Sequence, residues 1–172
     1  MMNIELATIS DCYLLAIFKK KMWESTYRGI YPDEYIDQFN VRDHARKFQK
    51  MIFEGKQKLF VVWIDNTVKG YMSYGYIRRP FEDYKYDIGY MYVDDAYQRQ
   101  GIGTELFNMA KEQFLASDIH TFIVSCNKYN LGAQEFYKKM GGEIVHIDED
   151  HLFSRCALRK AWYFFSISYL SL

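Results

Sequence analysis

The stretch Asp87-Ile88-Gly89-Tyr90-Met91-Tyr92-Val93, continued by Asp94-Asp95-Ala96-Tyr97-Gln98-Arg99-Gln100-Gly101-Ile102-Gly103-Thr104, decides how this chain folds. Its first half reads as a strand over Asp87–Val93, and its second half is a turn carrying two glycines. Beyond the turn, Ile102, Leu106, Ala110 and Phe114 recur every four residues, which predicts a helix through Phe114 with one face against a sheet. Thr121–Cys126 is strand-like again. A strand, a crossover helix and a second strand require a parallel pair.

Working outward, Asn130 can cap a helix with Ala133, Phe136, Tyr137 and Met140 on one face, stopped by Gly141-Gly142. Glu143–Ile147 and Cys156–Phe165 read as two closing strands. Toward the N-terminus, Leu59–Ile64, the turn pair Asp65-Asn66 and Val68–Ile77 form a hairpin pattern. Ahead of it lie a short strand, Ile4–Ala7, and a helix after Ser10 or Asp11 with Leu14, Ile17, Phe18 and Met22 as its apolar stripe. A short helix opens at Pro32-Asp33-Glu34, and a third has the stripe Ala45, Phe48, Met51 and Ile52, ended by Gly55. The predicted architecture is α/β (α+β), one domain over 1–172. Its mixed, mostly antiparallel sheet has about seven strands, flanked by about four helices.

Glycines at a helix start let the backbone approach an anion, and the first-turn N–H groups then point at it with the positive end of the helix dipole. Diphosphate is the natural ligand of such a nest, with Arg99 adding a charge. A P-loop would need Lys-Ser or Lys-Thr after its second glycine, and a dinucleotide fingerprint would need a third glycine at Leu106; neither is present. A ligand-free glycine turn is the plain alternative.

The run Gln98-x-x-Gly101-x-Gly103 resembles the coenzyme A-binding motif of the GNAT N-acetyltransferase superfamily. A second resemblance is Asn130-x-x-Ala133-x-x-Phe136-Tyr137-x-Lys139-x-Gly141, the pattern that follows the fifth strand in that family. Trp23-x-x-x-Tyr27-x-Gly29-Ile30-x-Pro32 is similar to the first-helix segment of many bacterial members. Order and spacing match over nearly the whole domain. One departure is Asp95, which stands where members often carry proline.

That resemblance implies a splayed parallel pair of the fourth and fifth strands, with the pantetheine arm of acetyl-CoA in the opening. Met91 and Val93 would then offer backbone groups. Gln98, Arg99, Gln100, Gly101, Ile102, Gly103 and Thr104 would hold the diphosphate, and Asn130 would contact the coenzyme from the other side. A backbone N–H near Tyr92 or Val93 would stabilise the oxyanion. Tyr137 stands at the family's proton-donor position; as a bare residue it reads equally as a core-edge tyrosine. Asp87, six residues before Val93 where relatives carry Glu, would draw the amine's proton, or hold the ammonium, or simply start a strand in solvent. By strict alternation it shares a face with Gly89, Met91 and Val93. Trp23, Tyr27 and Tyr31 are either the acceptor's aromatic wall or a core lid.

Lys plus Arg equals Asp plus Glu at 22 each in 172 residues, so no net field favours nucleic acid. The basic runs Phe18–Lys21 and Arg78–Arg79 read as solvated faces. Cys12, Cys126 and Cys156 are odd in number and widely spaced, arguing against a disulfide framework or a metal site and for a reducing, cytoplasmic setting. No signal-peptide pattern is present. The apolar run Ala161–Leu172 is too short for a bilayer and reads as a strand or a partner-facing edge, which would suit a homodimer. The expected function is acetyl transfer from acetyl-CoA, without a metal, to a primary amine: a polyamine, an aminosugar, an amino acid or a peptide N-terminus. Alternatives are a coenzyme A-binding sensor without turnover and a nucleotide-binding module.

Overall fold

Strand β2 (Gln57–Ile64) turns at Asp65-Asn66 into β3 (Thr67–Tyr76) in the computed structural model, which describes residues 1–78, 80–148 and 160–166. Both turn residues have positive φ, 48° and 58°, the conformation that suits Asp and Asn in a two-residue hairpin. Before the hairpin come β1 (Met2–Leu6), α1 (Cys12–Tyr27), α2 (Asp33–Asp37) and α3 (Val41–Glu54). After it come β4 (Tyr86–Val93), α4 (Ile102–Ala116), β5 (Thr121–Asn127), α5 (Leu131–Lys139), β6 (Glu143–Ile147) and β7 (Lys160–Ser166).

The seven strands form one sheet in the order β1-β2-β3-β4-β5-β7-β6, antiparallel throughout except for the parallel β4/β5 pair. This is the expected sheet. The described helices number five rather than about four, α2 being a single five-residue turn after Pro32. Lys160–Ser166 is an internal strand paired on both sides, so this part of the apolar tail is no free edge. The rest of that tail, with Arg79 and Cys156, lies outside the described residues.

Two cores flank the sheet. On one side α4 buries Ile102, Leu106, Ala110 and Phe114, its predicted stripe, against Ile88, Phe122 and Val124, and α5 adds Tyr137. Each large side chain so buried contributes about 1.5–3 kcal/mol. On the other side α1 and α3 pack Leu15, Met22 and Phe48 onto Val61 and Tyr71. The buried stripe of α1 is Cys12, Leu15, Ala16, Phe18, Lys19 and Met22, whereas Leu14 and Ile17 are about half exposed at 47% and 45%. The expected stripe was rotated: Phe18 and Met22 belong to it, and Lys19 takes a core position within a run read as solvated.

Candidate active site

A bulge opens the sheet. β3 pairs with β4 up to Ser73 opposite Tyr90, then steps to Tyr74 opposite Ile88, leaving Gly89 as the extra residue. A Cβ there would come within 2.8 Å of Arg78 Nε and Gln57 Oε1, so a larger residue would displace those two side-chain ends. β4 and β5 are paired only at Asp87–Ile123 and Ile88–Val124, and beyond those positions they part. The Asp94 N–H donates to the Lys69 carbonyl at 2.8 Å, so alternation turns Tyr92 toward β3. The amide and carbonyl of Met91 and Val93 then face the gap. Of the two residues considered for an oxyanion contact, the N–H facing the gap is that of Val93. A cavity of about 890 Å³ fills this opening on the α4/α5 side, with Met91, Val93, Asn130 and Tyr137 in its wall.

The turn below it is built by left-handed residues, Arg99 at φ 62° and Gly101 at φ 91°. Gly101 is the N-cap of α4 without a capping side chain, and the first helical return is Glu105 N–H to the Gly101 carbonyl at 2.9 Å. The amides of Ile102, Gly103 and Thr104 therefore have no partner within the helix, and Gly103 and Thr104 border the same cavity as Gln98 and Arg99. Main-chain donors and an arginine suit a diphosphate. A Cβ on Gly103 would make ordinary contact with the Phe136 ring at 3.5 Å, and both residues line the cavity. Gln100, whose side-chain amide donates to the Ala96 carbonyl at 3.0 Å, and Ile102, whose side chain is buried, are not among the residues lining the cavity.

Acids near the turn are accounted for. Asp95, the departure from the family pattern, accepts from Gln98 Nε2 at 2.8 Å, and the same amide nitrogen reaches the Val93 carbonyl at 3.1 Å. Asp94 is 3% exposed, accepts from Lys21 Nζ at 2.7 Å and the Ala96 N–H at 3.2 Å, and has Lys69 at 3.7 Å. Burial raises its carboxyl, but these partners more than offset that and hold it below the ordinary value. Asn130 caps α5 by accepting the Ala133 N–H at 3.1 Å.

Tyr137 is 5% exposed, edge-on to Phe136 and near Tyr163. Burial pushes its phenol far above the ordinary range, so it stays protonated, as a donor must. Asp87 requires a correction. The extra residue at Gly89 reverses the alternation, so Ile88, not Asp87, packs on the side of Met91 and Val93. Asp87 instead binds Gln57 Nε2 and is absent from the residues lining either cavity.

A second cavity of about 410 Å³ lies on the α1–α3 side and meets the first at Tyr27, Tyr90, Tyr92 and Cys126. Trp23, Tyr27 and Tyr31 all line it. Trp23 is edge-on to Tyr27 at 5.7 Å, Tyr27 stacks on Tyr31 at 4.7 Å, and the Tyr27 and Tyr92 hydroxyls lie 3.2 Å apart. These rings are thus both cavity wall and packed cluster. Sequence reasoning missed Lys19, His44, Arg78, Tyr90 and Asn127 in this wall. The available signal was a lysine spaced three and four residues from Ala16 and Leu15 on a core stripe.

The family described as acetyltransferase (GNAT) matches residues 21–142. The uncharacterized N-acetyltransferase YuaI of Bacillus subtilis is 26% identical over 125 residues, covering 72% of this chain and 70% of that protein. The PaiA N-acetyltransferase of Thermoplasma acidophilum, solved with coenzyme A, superposes with a TM-score of 0.75 at 19% identity over 97% of this chain and 99% of that one. YncA of Salmonella typhimurium, solved with its cofactor acetyl-CoA, gives 0.71 at 18% identity over 98% and 95%. At such identities the structural likeness speaks for the fold.

Proposed function

The chain belongs to the acetyltransferase (GNAT) family, and from that premise we propose that it moves the acetyl group of acetyl-CoA directly to a primary amine. The observation that carries the reading is one gap with two mouths. β4 and β5 pair at only two positions, a phosphate-suited turn lies at the end of the opened strand, and an aromatic cavity enters from the other side.

Acetyl-CoA supplies an activated acyl group. Around it, the amides of Gly101–Thr104 bind the diphosphate with Arg99, while the gap-facing groups of Met91 and Val93 pair with the pantetheine arm. The Val93 N–H polarises the acyl oxygen in this reading. The amine enters through the second cavity, held off water by Trp23, Tyr27 and Tyr31, and forms the new C–N bond as the C–S bond breaks. Tyr137 holds a proton at its hydroxyl for the departing sulfur. Asp87 binds Gln57 and lines neither cavity; the acceptor attacks as the neutral amine, and the proton its nitrogen sheds as the amide forms returns through solvent to the Tyr137 phenolate left when the sulfur is protonated.

A thiol-release assay with acetyl-CoA across amine classes tests this, with binding of acetyl-CoA, CoA and ATP followed by calorimetry. The expected result is coenzyme binding in preference to ATP, with amine-dependent thiol release. Coenzyme binding without release for any amine would identify a sensor and refute the transferase reading.

A further inference from the structure

The acceptor end of the second cavity is lined by cations that no carboxylate answers among the described residues. Lys19 is 3% exposed, and its ammonium lies 4.2 Å from the Tyr90 ring centroid, 5.4 Å from that of Phe48 and 5.8 Å from that of Trp23. It forms no salt bridge with a carboxylate among the described residues. Its polar partner is the Tyr90 hydroxyl, and a buried ammonium so placed, with rings around it and no carboxylate, is costly unless an anion joins it.

Arg78 also lies over Tyr90, its Cζ 3.8 Å from the ring centroid and its Nη2 donating to the Gly89 carbonyl at 2.9 Å. It too has no carboxylate partner among the described residues. Lys47 lines the same cavity; Asp43 is the acid that lines it, and its carboxylate is bound by Arg46 at 3.3 Å. Two ring nitrogens in the wall, Trp23 Nε1 and His44 Nδ1, are buried and lack hydrogen-bond partners. The cavity thus offers cations and an indole donor, with one acid already engaged.

Two titrating neighbours register the sign of this field. Burial lowers the Lys19 ammonium, Tyr90 partly offsets this by charge and hydrogen bond, and Arg78 and Lys47 lower it further; none of these influences is a carboxylate. Burial alone would raise the Tyr90 phenol, yet Lys19 and Arg78 bring it down to about 8. Both shifts have the sign expected of a cavity wall that favours negative charge.

We infer that the acceptor is an amine that also carries a carboxylate, on the scale of a free amino acid or dipeptide, with Lys19, Arg78 and Trp23 Nε1 gripping the acid end. This rests on the transferase reading above and names its substrate class. The Tyr90 and Tyr92 ring centroids are 6.5 Å apart, a span that such a molecule covers between the cationic end and the gap where Tyr27 and Tyr92 meet. A polyamine would carry positive charge into a positive cavity, so it is disfavoured despite the aromatic walls.

The test compares kcat/KM for a panel of amino acids and dipeptides with the same molecules as carboxamides, and with spermidine, in the thiol-release assay. Carboxylate forms should be preferred by about tenfold or more, the effect of one charge-assisted contact. Arg78→Gln and Lys19→Met should reduce that preference toward unity while calorimetry shows unchanged acetyl-CoA affinity. Arg78 is exposed, so its variant reports even where Lys19→Met fails to fold. Equal or faster turnover of carboxamides or spermidine by the native protein, or a preference that survives both substitutions, would overturn the assignment and leave the transferase standing. Coenzyme binding with no turnover of any amine would remove both.

Discussion

Replacing Asp94 by Asn perturbs the joint between β4 and the glycine turn while preserving side-chain shape. The carboxylate is almost fully buried at 3% exposure and neutralised by Lys21 at 2.7 Å, with Lys69 at 3.7 Å. A charge-assisted hydrogen bond contributes about 1.5–3 kcal/mol, and the half-exposed Lys21 head moves the expected loss to the middle of that range, about 2 kcal/mol. For a chain of this length that corresponds to a Tm lower by about 4–8 °C. The folded-state carboxyl is held below its unfolded value, so its stabilisation is present above that value and disappears as pH falls through the folded one. Thermal melts of the two proteins should therefore differ fully near pH 7 and converge below about pH 4. A Tm within about 1 °C of native at neutral pH, or a gap that persists undiminished into acid, would refute the reasoning.

Tyr137→Phe should lower kcat by about tenfold to a hundredfold with acetyl-CoA affinity nearly unchanged, since a donor acts on the leaving sulfur; unchanged kcat would remove Tyr137 from the chemistry. His44 is held neutral by burial and by Lys19 and Lys47, which bring it down to about 3. Its contribution to stability is whole above the unfolded histidine value and fades as pH drops toward 3, so His44→Phe should flatten the native protein's loss of Tm between pH 7 and 4; an identical slope in both would contradict this. Cys126 lines both cavities, yet direct transfer needs no acyl-cysteine. Cys126→Ser should keep activity within a fewfold of native, and initial-rate plots should intersect; parallel lines would indicate a covalent route.

Much of the fold was legible because local signals agreed: the helical period of Ile102 to Phe114, the Asp65-Asn66 turn and the glycines at the start of α4 each specify one geometry. Two features were not. Alternation along β4 places Asp87 with Met91 only if no residue is inserted, and the bulge at Gly89 reverses it; a glycine inside a strand was the hint. Charge likewise suggested that Lys19 faces solvent, although its spacing from Leu15 and Ala16 puts it on the buried stripe, where tertiary packing overrides the preference of lysine for water. Both misreadings concern the acceptor side. The coenzyme side, built from main-chain atoms in a glycine turn, is written more directly in the letters.

The most direct measurement is a crystal structure of the protein grown with coenzyme A. The diphosphate should lie within hydrogen-bond distance of the main-chain nitrogens of Gly101–Thr104, with the pantetheine arm between β4 and β5 beside Met91 and Val93. A ligand bound elsewhere, with those amides facing only water, would contradict the proposed site.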